Sequence, residues 1–169
     1  SAVSSRATTA PTATRSPSAT ASSTIRPPTS GATRTSVAST YPEARGAACA
    51  PLVHGGSVVM PHRFSASNYW ELVVKHQCTW INVVPTIIAY LLNGNDPRNS
   101  GLDISRVKFC RSASAPLPPE QHRAFEAKFG IGVIETFGMT ETNAPCFTNP
   151  YDPAKRKIGS PGQAYGNEA

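Results

Sequence analysis

Residues 131–141 read I-G-V-I-E-T-F-G-M-T-E and pass from an apolar, β-branched run into a turn. Ile131 to Thr136 reads as a strand, because residues of this kind suit a pleated, buried surface. Phe137-Gly138 ends it, and Met139-Thr140-Glu141 follow. A ring, a hydroxyl and a carboxylate therefore fall within five positions. A nucleotide site needs such a set: a ring to lie on a base, an oxygen to meet a phosphate, and an acid to hold a hard cation.

Working back along the chain, Gly55-Gly56 precedes a short β-branched run, Ser57-Val58-Val59-Met60, which reads as a buried strand. Ser65 or Ser67 can cap a helix to about His76, with Trp70, Val73 and Val74 on its inner face. Thr79 to Val84 is the next strand. Pro85-Thr86 then starts a helix, where the missing proline N–H would be unpaired anyway. Ile87, Ile88, Leu91 and Leu92 give that helix an apolar side, and Gly94 to Gly101 is a polar loop. Val107 to Cys110 is a third strand, ending in the small-residue turn Ser112-Ala113-Ser114-Ala115-Pro116. Pro118-Pro119-Glu120 opens a helix to about Phe129, with Phe125 and Phe129 on one face.

Strand and helix alternate, with connections too long for hairpins. This predicts an α/β fold with a partial, mostly parallel sheet and alternating helices. Ligands gather at the carboxyl ends of such strands. Two strand ends carry small or polar turns, 112–116 and 137–141, and a pocket is expected between them.

The first 46 residues are of another kind. Ser, Thr, Ala, Pro and five arginines dominate, with Glu43 the one acid, no Leu and no lasting period. Disorder is expected for residues 1–46 and an α/β domain for 47–169. A foreign or mis-framed gene start and an organellar targeting segment are the other readings of this tail. Of the net charge of +6, the tail carries +4 and the remaining residues +2, so the domain offers little of a basic patch for nucleic acid. Lys155-Arg156-Lys157 is its densest basic cluster, either a polyanion contact or a solvated turn.

Cys49, Cys78, Cys110 and Cys146 lie 29 or more positions apart. No zinc spacing or disulfide scaffold follows, and a reducing, cytoplasmic compartment is expected. No stretch approaches 18 apolar residues, so no transmembrane segment is expected.

Each candidate residue has two readings. Phe137 can stack on an adenine or close the sheet as a core aromatic. Thr140 can meet a phosphate or cap the following turn. Glu141 can hold Mg²⁺ or be a solvated acid. Glu135, inside an apolar strand, either needs a buried partner or lines the pocket and accepts a hydrogen bond from a nucleotide amino group. Histidines 54, 62, 76 and 122 show no ligand spacing, and Ser112 and Ser114 lack a nucleophile elbow.

F-G-M-T-E at 137–141 resembles the Tyr-Gly-x-Thr-Glu motif of the adenylate-forming family, the acyl-CoA synthetases and their relatives. S-A-S-A-P-L at 112–117 resembles that family's Ser-Gly-Ala-Ala-Pro-Leu turn. G-G-S-V-V-M at 55–60, R-F-S-A-S at 63–67, V-V-P-T at 83–86 and Ile158 to Gly162 resemble further elements in the same order. The resemblance implies the central part of the large N-terminal domain. It implies a nucleotide-binding set of Ala113, Ser114, Ala115, Pro116, Glu135, Thr136, Phe137, Gly138, Met139 and Thr140. Within that set Phe137 packs on adenine and Ala113 to Pro116 border the base. Thr140 contacts the α-phosphate and Glu141 binds the metal, which makes these two the catalytic residues. ATP and Mg²⁺ are the implied cofactors, with coenzyme A and a carboxylic acid as substrates.

The departures also count. The family's Ser/Thr/Gly-rich loop ending in lysine is expected upstream of Gly55 and does not occur in residues 1–46, and the chain stops at Ala169, before the ribose-binding aspartate and the catalytic lysine. Ala113 stands where the family has glycine, and Thr136 where it has a small residue. The expectation is a fragment of an ATP-dependent acid–thiol ligase, inactive by itself. The alternative is a non-catalytic interaction or scaffold protein on a degenerate copy of the fold. Residues 55–93 lean towards fatty-acid or carnitine-related acids, with Trp80, Asn82 and Thr86 near the acyl site. A partial sheet is also expected to expose apolar surface and self-associate.

Overall fold

The strand predicted at 131–136 lies near one side of an eight-stranded mixed sheet in a computed structural model, which describes residues 22–25, 35–38, 51–142 and 145–164. In chain order the strands are β1 (Ser22–Ile25), β2 (Thr35–Ala38), β3 (Ser57–Pro61), β4 (Cys78–Val83), β5 (Phe109–Ser112), β6 (Val133–Gly138), β7 (Pro145–Thr148) and β8 (Gln163–Ala164). Across the sheet the order is β1-β3-β2-β4-β5-β6-β7-β8. The four pairings among β3, β2, β4, β5 and β6 are parallel, while β1, β7 and β8 add antiparallel edges. The alternating α/β pattern is thus confirmed, with helices α1 (Tyr69–Lys75), α2 (Pro85–Asn93) and α3 (Pro119–Phe129) joining the central strands.

β1 and β2 fall within the segment for which disorder is expected. Both carry β-branched residues, and β2 pairs with β3 on one side and β4 on the other, filling the ladder between them. Periodicity could not reveal them, because four-residue strands are specified by the partner edges they satisfy. The rest of residues 1–46, and Cys49, lie outside the described residues.

The core lies between the sheet and the three helices. Val59, Ile81, Val83, Cys110 and Val133 supply the sheet side, and Trp70, Ile88, Leu91, Phe125 and Phe129 the helix side. Phe129 packs against both Phe125 and Trp70, with ring centroids at 4.7 and 4.9 Å. Phe125 and Phe129, four residues apart, share the buried face of α3 as their spacing predicts. Gly130 ends the helix in the left-handed conformation, φ 68°, which a glycine adopts without a Cβ clash. Lys128 Nζ donates to the carbonyls of Leu92 and Gly94 at 2.7 and 2.6 Å, satisfying the C-terminal end of α2.

Several boundaries differ from the pattern: β6 begins at Val133, two residues later than predicted, and takes in Phe137 and Gly138, which pair with β7. Neither Ser65 nor Ser67 caps α1: their hydroxyls lie 2.9 Å apart, and Ser67 Oγ donates to Asn68 Oδ1 at 3.1 Å. Asn68 is the residue at the cap position, and no side chain caps the helix. The third predicted strand begins two residues later and runs to Ser112. Val107 instead closes a turn onto the Ile104 carbonyl, and pairing with Val83 and Glu135 carries the strand forward.

Candidate active site at two strand ends

β5 and β6 are parallel neighbours in register, with Ser112 opposite Glu135. Their carboxyl ends therefore lie side by side, with residues 113–117 following β5 and residues 139–142 following β6. The first turn is pinned at both ends. Ala113 N–H donates to the Val83 carbonyl at 3.2 Å, and Leu117 N–H donates to Glu135 Oε1 at 3.1 Å. Between them Ser114 holds φ 77°, a left-handed conformation that costs a residue with a Cβ roughly 1 kcal/mol or more. Ser114, Ala115 and Pro116 are exposed, so the turn is a rim.

Near the end of β6, Phe137 is 45% exposed, and Met139 just beyond the strand is 52% exposed. Phe137 is thus not a ring sealed in the core; its one ring neighbour among the described residues is Phe147, at 6.2 Å between centroids. Gly138 is exposed, and a short 3-10 turn, Thr140–Thr142, follows. The Thr142 hydroxyl accepts from Met139 N–H at 3.1 Å and donates to the Met139 carbonyl at 2.9 Å, closing the turn. Glu141 stands exposed on it.

Beneath the turns, Glu135 is 5% exposed and points to the helix-covered face. Its Oε1 holds Leu117, but its Oε2 is buried and has no hydrogen-bond partner among the described residues. The hydroxyl of Ser112, the register partner of Glu135, is also buried and unpartnered. One oxygen of Glu135 thus has an interior partner in Leu117 N–H, and the other has none among the described residues. Buried polar atoms left unpaired are costly, and Tyr69 Oη, Trp70 Nε1 and His122 Nδ1 share this state elsewhere among the described residues.

On the opposite face of the same strands lies Arg111, which the sequence reading does not single out. Its Nε donates to Thr136 Oγ1 at 3.1 Å, and its Nη1 lies 3.5 Å from Asn82 Oδ1. Thr136 Oγ1 in turn donates to the Ser112 carbonyl at 3.5 Å. Burial pushes the Arg111 guanidinium below its ordinary value. Among the described residues no carboxylate pairs with it. The available signal was a cation inside an otherwise apolar strand, F-C-R-S. Two residues earlier in each strand, Trp80 and Phe109 stack on this face at 5.4 Å and 11°. Trp80 and Asn82 therefore share one side of β4, while Thr86 is exposed on the first turn of α2.

The basic cluster at 155–157 is not a free patch at its centre. The Arg156 side chain is only 7% exposed and pairs with Glu126 Oε1 at 3.3 Å. Arg156 also donates to the carbonyls of Pro150 and Tyr151. The same Glu126 oxygen accepts Val133 N–H at 2.7 Å and lies 3.3 Å from His122 Nε2. Arg156 therefore ties the loop after β7 to α3. A groove lined by Trp70, Glu71, Asn93 and Leu102 includes none of the predicted site residues. Among the described residues no His/Cys/Asp/Glu cluster forms a metal cage. A carboxylate such as Glu141 can still hold a hard cation with the help of phosphates and water. No described helix is long and apolar enough to cross a membrane.

Comparison with known proteins agrees with this geometry. The profile of the family described as AMP-binding enzyme matches residues 39–169. A sulfoacetate–CoA ligase of Cupriavidus necator is 68% identical over 122 residues, 72% of this chain and 23% of the relative. An oxalate–CoA ligase of Saccharomyces cerevisiae is 36% identical over 111 residues, 66% of this chain and 20% of the relative. Among solved structures, ATP-bound MatB from Rhodopseudomonas palustris superimposes with a TM-score of 0.64 at 29% identity, covering 78% of this chain and 26% of that one. The chain thus spans about a quarter of the length of the proteins it matches.

Proposed function

The chain belongs to the AMP-binding enzyme family, and we propose that it forms the nucleotide-binding strand ends of an ATP-dependent CoA ligase for a small acid bearing a second anionic group. The observation that carries this reading is the pair of adjacent turns, with Ser112 Oγ and Glu135 Oε2 buried and unpartnered beneath them. Glu135 Oε2 accepts the amino group of the base, the exposed Phe137 ring lies against it, and the 113–116 backbone borders it. Gly138 and Met139 bring the chain past the phosphates, Thr140 contacts the α-phosphate, and Glu141 holds Mg²⁺. When bound, the metal neutralises charge on the phosphates.

The reaction has two steps. The carboxylate attacks the α-phosphorus of ATP and pyrophosphate leaves; the thiol of coenzyme A then attacks the acyl carbonyl and AMP leaves. The residues align two anions that repel each other, so that binding rather than covalent chemistry lowers the barrier. The relatives' acids, sulfoacetate and oxalate, are short and carry two anionic groups. They give no support to a fatty-acid or carnitine-related substrate, so the short dianionic class is preferred here.

These 169 residues span about a quarter of the length of the relatives they match, and turnover by them alone is expected to be absent or slight. Buried, unpaired Cys78 and Cys110 support a reducing, cytoplasmic setting. The test is binding of ATP with Mg²⁺ by calorimetry, together with carboxylate-dependent pyrophosphate exchange. ATP affinity without turnover is the expected result. Absence of any nucleotide binding overturns the reading and leaves the scaffold alternative.

A further inference from the structure

We infer that Arg111 is the specificity-determining residue that holds the second anionic group of the acid substrate. The inference rests on the ligase reading above and names the residue that selects within it. Arg111 sits one residue before Ser112, at the strand end where the nucleotide turns begin, but on the other face of the sheet. Its hydrogen-bond partners, Thr136 and Asn82, are both neutral. Among the described residues no carboxylate balances its charge. A guanidinium drawn out of water and paired only with neutral acceptors is unfavourable by itself. The cost is offset if an anion arrives.

The two neutral partners also fix its orientation. Nε and Nη1 are engaged, and Nη2 makes no hydrogen bond among the described residues. A planar fork held in this way suits a carboxylate or sulfonate, which presents two coplanar or near-coplanar oxygens. The link from Thr136 Oγ1 to the Ser112 carbonyl joins the anion side of the strands to the nucleotide side. An acid with its reacting carboxylate at the turns and its second anionic group on Arg111 therefore needs only a short spacer. The stacked Trp80 and Phe109 rings lie two residues nearer the strand starts on the same face. They form an apolar floor beyond Arg111 that limits the acid to a short one.

The experiment compares sulfoacetate with acetate as ligands of the chain by calorimetry in the presence of ATP and Mg²⁺, in the wild type, Arg111→Met and Arg111→Lys. The wild type is expected to prefer sulfoacetate about tenfold or more, as a charge-assisted bidentate pair would give. Arg111→Met abolishes the preference while ATP affinity stays within about twofold, which shows that the fold and the nucleotide turns are intact. Arg111→Lys keeps the charge but not the fork and retains only part of the preference. Should Arg111→Met fail to bind ATP, the lysine variant decides. An undiminished preference in the variants overturns the role of Arg111 and leaves the ligase reading standing. A wild type that binds both acids equally overturns the proposed substrate class itself.

Discussion

Glu135 Oε1 accepts the backbone N–H of Leu117 at 3.1 Å, so one carboxylate joins the end of β6 to the far end of the turn that follows β5. The two segments are 18 positions apart in sequence. This bond ties the two strand ends together, and the second oxygen of Glu135 is buried with no partner among the described residues.

Glu135→Ala strands the buried Leu117 N–H, and the expected loss of stability is about 1–3 kcal/mol. Glu135→Gln keeps an acceptor for Leu117 but places an amide donor where the free oxygen stood. Urea denaturation is expected to show a small change for Gln and a large one for Ala. Calorimetry is expected to show weakened ATP binding in both. Unchanged ATP affinity in Glu135→Gln removes the base contact from the proposal.

Glu141 is exposed and can be replaced with little structural effect, within about 0.5 kcal/mol. Glu141→Ala is expected to weaken ATP binding about tenfold or more when Mg²⁺ is present and not at all when the metal is chelated. Titrations with and without a chelator check this, and an equal effect in both rejects the metal role.

At Ser114 the left-handed backbone opposes the side chain. Ser114→Gly removes a strain of roughly 1–2 kcal/mol but adds unfolded-state freedom of about 0.5–1 kcal/mol. The net expectation is a neutral to slightly more stable protein, whereas Ser114→Val should lose more than about 1 kcal/mol. Denaturation midpoints of the two variants decide.

Burial pushes the Cys78 thiol up from 9.0 to about 12, because the apolar surroundings disfavour the thiolate. Between these values the folded protein keeps the proton that the unfolded chain gives up. Stability contributed by the neutral thiol is therefore full below about 9 and falls as the pH rises towards about 12. Cys78→Ala should flatten this alkaline decline in a pH series of denaturation curves. Alkylation of Cys78 is expected only after unfolding.

Phe125 is fully buried among Trp70, Phe129 and the sheet. Phe125→Ala is expected to cost about 3–5 kcal/mol, close to the whole stability of a domain of this size. Loss of a cooperative melting transition is the readout.

The sequence by itself determined the alternating pattern, the helix faces at Phe125 and Phe129, and the small or polar segments at the ends of β5 and β6. Those features are local: periodicity and turn chemistry act over a few residues, and each can be read where it stands. Tertiary structure decided what depends on distant partners. It set β2 between β3 and β4, gave Arg156 a structural partner in Glu126, and paired Glu135 with Leu117. It also placed Arg111 and Glu135 on opposite faces of adjoining strands. The physical reason is register. A strand residue points up or down only in relation to the neighbours it pairs with, and a shift of one position exchanges the faces.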